Sequence, residues 1–128
     1  MIPETLFILY VSDQRRSADF YGSVLASAPR LDVPGMTEFV LPGGGVLGIM
    51  PESGIRRLLG TAVPDPSLAQ GIPRAELYLL LDSIDAFLAR AIAAGAVLLS
   101  PAQARDWGHT VVYLADPDGH VLAFASAA

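Results

Sequence analysis

Residues Trp107–Phe124 read WGHTVVYLADPDGHVLAF. Two apolar runs, TVVYL and HVLAFA, flank DPDG. There Asp116 and Asp118 offer Asx hydrogen bonds, Pro117 fixes φ, and Gly119 accepts a positive φ, so the stretch predicts a β-hairpin. It also carries the only Trp and both His of the chain. Trp107 stands in the loop leading into a strand, where its ring can lid a cavity and stack on a planar or cationic ligand. His109 opens that strand and is a candidate acid–base residue, whereas His120 follows the turn and is expected at the hairpin base, facing solvent.

Upstream, AELYLLL (Ala75–Leu81) is strand-like and meets DSIDAFLARAIAAGA. In that segment Ile84, Phe87, Leu88, Ala91 and Ile92 form an apolar stripe and Gly95 suits a helix C-terminus. AVLLS adds a short strand before the hairpin. The first half of the chain follows the same order. TLFILYV (Thr5–Val11) reads as a strand, and Ser12 or Asp13 can cap a helix whose apolar positions are Ala18, Tyr21, Val24, Leu25 and Ala28. Pro29 ends it, and TEFVL and VLGIM flank the turn PGGG. Asp13 and Asp82 occupy equivalent strand-to-helix junctions. The chain is therefore expected to be one α+β domain of 128 residues, made of two tandem β-α-β-β-β modules at about 1–52 and 73–128. A Pro- and Gly-rich linker, 53–72, joins them, with one helical turn expected at Ile55–Leu59. Helices cover one face of each sheet and leave the other free to curl.

Composition narrows the function. A chain that is 52% hydrophobic and 16% charged is globular rather than disordered. No apolar run approaches the roughly 20 residues that span a bilayer, and no basic residue precedes the apolar start, so a cytoplasmic location is expected. The absence of Cys excludes thiolate catalysis and thiolate metal sites. A net charge of −5 disfavours nucleic acid and mildly favours a cationic small molecule. PGGG is not followed by G-K-S/T or a helix, no Ser stands in G-x-S-x-G, and Arg56 and Arg57 read as a solvated turn.

Two segments at opposite ends of this repeated chain, YVSDQRRSADFYGSVL (Tyr10–Leu25) and Trp107–Phe124, resemble the vicinal oxygen chelate superfamily. That superfamily includes glyoxalase I, extradiol dioxygenases and bleomycin-resistance proteins. The first segment is similar to its V-x-D-x-x-x-S-x-x-F-Y start and the second to its W-G…D-P-D-G close. The resemblance implies a curved mixed-sheet cup with helices outside and a homodimer. In the metalloenzymes of the superfamily it also implies four metal ligands, at places that map to Leu6, Gly48, Glu76 and Ala123. Only Glu76 among these can bind a metal, and catalytic metals are usually held by about three protein ligands, so no cofactor is expected.

Alternation along the strands then assigns neighbours to the cup. Ile8 and Tyr10 go with Leu6, Val46 and Met50 with Gly48, Tyr78 and Leu80 with Glu76, and Val121 and Ala125 with Ala123. Phe7, Leu9, Val11, Leu77, Leu79, Leu81, Leu122 and Phe124 are expected beneath the helices. Glu76 is the leading candidate, as a ligand contact or, if burial raised its pKa, a general base. The plainer readings of Glu76 are an ion pair with Arg74 or Arg105, or a place at a solvent-wet strand end. Tyr10, Met50, Tyr78 and Trp107 complete the candidate binding set, and His109 joins Glu76 as candidate catalytic residue. Three functions follow. The first is a metal-independent, glyoxalase/bleomycin-resistance-like protein binding an apolar or cationic small molecule. The others are a lyase, isomerase or dioxygenase-type enzyme, and an interaction module that kept the fold without the site.

Overall fold

Asp13 stands in extended backbone, and its side chain accepts from the Arg16 N–H at 3.0 Å. That contact caps α1, Gln14–Leu25, and such caps stabilise a helix by about 1 kcal/mol. The helix stops where Ala26 turns left-handed (φ 50°) and Ser27 N–H bonds Gly22 C=O at 3.1 Å, three residues before Pro29. Its buried side, Ser17, Ala18, Phe20, Tyr21 and Val24, rests on a sheet of four strands.

The computed structural model describes residues 2–127 and divides into two compact units, Met1–Gln70 and Gly71–Ala128. In the first, β1 (Leu6–Val11) runs parallel to β4 (Val46–Pro51). Antiparallel β3 (Met36–Val40) and β2 (Leu31–Val33) extend the sheet in the order β1-β4-β3-β2. The module plan calls for a strand where β2 lies, but no stretch of the sequence marks its place. Its LDV is too short and too mixed to show a period. After β4 comes α2, Glu52–Leu59, longer than the single turn expected there, followed by 3-10 turns at Gly60–Ala62 and Pro66–Ala69.

The second unit repeats the plan. β5 (Glu76–Leu80) lies parallel to β8 (Val121–Ala127), and β7 (His109–Ala115) and β6 (Val97–Ala104) continue the sheet antiparallel in the order β5-β8-β7-β6. α3 spans Asp85–Ala93 and is followed by Gly95 at φ 101°. Each unit is thus a β-α-β-β-β module with an open sheet, and the fold is α+β. Among the described residues no helix is long and apolar enough to cross a membrane.

Alternation assigns the helix-side face almost as expected. Leu9, Val11, Phe39, Leu47 and Ile49 are buried in the first unit, and Leu79, Leu114, Leu122 and Phe124 in the second, where Phe87 packs on Phe124 at 5.6 Å. Each such side chain contributes about 1.5–3 kcal/mol when fully buried. Phe7 is a correction. It is 70% exposed, because α1 contacts the inner strands β3 and β4 and leaves the start of edge strand β1 uncovered.

Candidate functional site

The two loops of the second unit that carry His share one geometry. In the β6–β7 loop, Gly108 N–H bonds Arg105 C=O (3.1 Å), Arg105 N–H bonds His109 C=O (2.8 Å), and Gly108 has φ 91°. In the β7–β8 loop, Gly119 N–H bonds Asp116 C=O (3.1 Å), Asp116 N–H bonds His120 C=O (2.9 Å), and Gly119 has φ 84°. These are three-residue hairpin loops with glycine at the left-handed position. In the second, Asp116 Oδ1 also accepts from the N–H groups of Asp118 and His120, both at 2.9 Å. The turn chemistry read from DPDG is what forms.

The two His then diverge. His120 is 3% exposed, contrary to the solvent-facing place expected for it. Arg74 closes over the hairpin base. Its guanidinium donates to His120 Nε2 at 3.2 Å and reaches the carbonyls of Asp118 and Ile72. His109 shares the parity of Val111 and Tyr113 on β7 and looks out from the face opposite the buried row of Val112 and Leu114.

There His109 Nδ1 lies 2.6 Å from Tyr78 Oη, and the Trp107 indole N–H donates to the same oxygen at 3.0 Å. Indole only donates, so the Tyr78 oxygen accepts from it. The Tyr78 hydroxyl can donate to Nδ1 when the ring proton is on Nε2, or its second lone pair can accept from Nδ1–H in the other tautomer. Tyr78 is on β5 and His109 on β7, with β8 between them. The two side chains meet because β8 presents Ala123 and Ala125 there. With Val111 these form a fully buried floor, against which Tyr78 and Tyr113 pack. Three sequence candidates, Tyr78, Trp107 and His109, thus form one hydrogen-bonded chain.

Glu76 is not part of it. It is the exposed first residue of β5, at the solvent-wet strand end, and Arg74 and Arg105 are engaged elsewhere. In the first unit Tyr10 and Met50 are register partners on adjacent strands, and Ile8 pairs with Gly48.

Arg105 is the group missed as a site residue. Its guanidinium lies over the Tyr113 ring (5.3 Å to the centroid) and donates to Ser100 Oγ at 2.8 Å, while its Nε is buried with no acceptor. The signal in sequence was RDWGH itself, whose loop geometry sets Arg105 opposite His109.

The places mapped for metal ligands do not suit a metal. Ala123 lies in the buried floor. A side chain at Gly48 would begin 2.9 Å from Ile8 Cγ1 and 3.3 Å from Met36 Sδ. Glu38, the cross-strand partner of Gly48, is held by Arg30 at 2.8 Å, and Arg30 also pairs with Glu4. Among the described residues no three His, Cys, Asp or Glu stand close enough to hold an ion. A cavity of about 350 Å³ beside the start of α1 is lined by Asp13, Gln14, Arg15, Asp32, Val33 and Pro34. Its Arg15–Asp32 and Gln14–Thr37 bonds already pair those side chains.

Comparison with known proteins agrees with the fold. The family model of the glyoxalase-like domain matches residues 7–125. The chain is similar to the crystal structure of a glyoxalase-related enzyme from Fulvimarina pelagi, at 28% identity and a TM-score of 0.79, over 98% of this chain and 88% of that one. A glyoxalase/bleomycin resistance protein/dioxygenase from Nocardioides is similar at 24% identity and a TM-score of 0.77, over 99% and 84%, a likeness of fold alone. No curated protein matched.

Proposed function

The chain belongs to the glyoxalase-like domain family, and we propose that it is a metal-independent binding protein that takes an apolar, planar small molecule against Trp107 and the tyrosine-lined face of β5, β8 and β7. The observation that carries this reading is the Trp107–Tyr78–His109 chain standing on the floor of Val111, Ala123 and Ala125. A ring fixed by its own N–H, and still 57% exposed, is a ready stacking surface. Lack of donor side chains at Leu6, Gly48 and Ala123 supports independence from a metal. Of the two ligand classes expected, the apolar one is favoured, because Arg105 has no carboxylate partner among the described residues and opposes a cation. Tyr10 and Met50 are the candidate contacts on the first module's own sheet, and Glu76 is a peripheral polar contact on the second. In this reading the protein is a homodimer, as the resemblance implies, and works in the cytoplasm, as its composition leads one to expect.

Trp107 is the only Trp, so its fluorescence reports the site directly. Titration with planar aromatic compounds should give saturable quenching that a chelator leaves unchanged and that Tyr78→Phe weakens. Quenching that vanishes on chelation and returns with a divalent metal would overturn the reading.

The 2.6 Å Tyr78–His109 contact favours a second reading, an isomerase or lyase. In it, the Tyr78 oxygen takes a proton from a carbon next to a substrate carbonyl while its own proton passes to His109 Nδ1, leaving an enolate and an imidazolium. Under this reading His109→Gln abolishes solvent-deuterium exchange into the substrate while leaving its binding intact. Exchange that persists in the variant eliminates the dyad.

A further inference from the structure

We infer that Arg105 makes this face a receptor for carboxylates, so that the ligand is an aromatic or otherwise planar molecule ending in a carboxylate group. The inference rests on the binding reading above and names its ligand class. A guanidinium has five N–H donors in a planar fork, and Ser100 occupies one of them. Nε is sealed from solvent and bonded to nothing among the described residues, a rare state for a charged donor, since buried polar groups are almost always paired. Among the described residues no carboxylate forms an ion pair with Arg105. Asp106, next to it in the loop, forms no ion pair with it. In a chain of net charge −5, a cation left without a counter-ion marks a place kept for an external one.

The surroundings select the anion. The Tyr113 ring and Ser100 Oγ hold the guanidinium in place, and the acceptor that best fits its planar fork is a planar two-oxygen group. His109 and Trp107 follow Arg105 in one tight loop. A molecule whose carboxylate meets Arg105 therefore has Trp107 and Tyr78 within reach of its body.

The test compares trans-cinnamate with its neutral isostere cinnamamide by isothermal titration on the full chain. Wild type should bind cinnamate at least ten-fold more tightly. Arg105→Gln should abolish that preference while retaining the affinity for cinnamamide, and Arg105→Lys should keep part of it. Melting curves for both variants show that the hairpin survives, and Ser100→Ala, which frees one more guanidinium N–H, should retain the preference. Equal binding of the two compounds by wild type, as expected if a water occupies Nε, overturns the inference and leaves the binding reading standing. A preference that survives in Arg105→Gln also overturns it. Failure of both compounds to bind overturns both.

Discussion

Tyr78 Oη and His109 Nδ1 lie 2.6 Å apart although their strands are not neighbours; the pair bridges β8 above Ala123 and Ala125. A longer side chain at either alanine would occupy the space through which they meet. The hydrogen-bonded chain and the small-residue floor are one construction, in which each depends on the other.

Tyr78→Phe removes the shared oxygen from Trp107 and His109 together. Each neutral hydrogen bond contributes about 0.5–1.5 kcal/mol net, so a loss of about 1–2 kcal/mol in chemical denaturation is expected, with a change in Trp107 emission. Unchanged emission would mean that the indole N–H is not held by this oxygen in solution.

Ala123→Leu fills the floor beneath the tyrosines and should cost about 1–3 kcal/mol by overpacking. Because it also separates Tyr78 from His109, its effect and that of Tyr78→Phe should be less than additive. Full additivity in a double-mutant cycle would show that the two sites are independent.

Gly119→Ala places a Cβ against the backbone of Gly71 at a residue with φ 84°. Left-handed backbone alone costs a non-glycine residue about 1–2 kcal/mol, and the clash is with main chain that cannot rotate away. Thermal melting should fall by several degrees. Gly43→Ala, at φ 89° with nothing near its Cβ, should fall by less.

Asp32 accepts from Arg15 and from Thr37, which hold its carboxyl below the ordinary value of 3.8, Arg15 having the larger effect. With the folded pKa depressed, the unfolded chain binds more protons in this range. The stabilisation is therefore present above pH 3.8 and disappears as pH falls through the folded value. Asp32→Asn should flatten the acid limb of a stability–pH curve, and the difference should shrink in high salt because the pair is exposed. Identical acid limbs would remove this pair from the account.

Val97, Leu98 and Leu99 lie exposed along edge strand β6. Exposed apolar edges invite pairing, so light scattering should report twice the 13.5 kDa chain mass, and Leu99→Lys should shift it toward the single chain. A wild-type monomer at micromolar concentration would refute the homodimer.

Much of the fold was legible because its periods were clean. Asp13 as cap, DPDG as turn and the buried alternation of Leu122 and Phe124 followed from local rules. β2 was too short for any period, and the burial of His120 depends on Arg74, far away in sequence. The candidate site was legible only in pieces. Tyr78, Trp107 and His109 could each be named from their strands, but their union depends on a third strand lying between two of them. Arg105 entered the reading only as an ion-pair partner for Glu76, because the burial of its Nε depends on packing that no local pattern shows. Glu76 drew attention as an acid in an apolar strand, yet as the first residue of that strand it never leaves water.

Gly48 lies directly beneath Ile8, 2.9 Å from where a new side chain would begin. A side chain introduced here would have to push aside Ile8 and Met36, so a single substitution at Gly48 loses packing before it can offer a ligand atom to the sheet face.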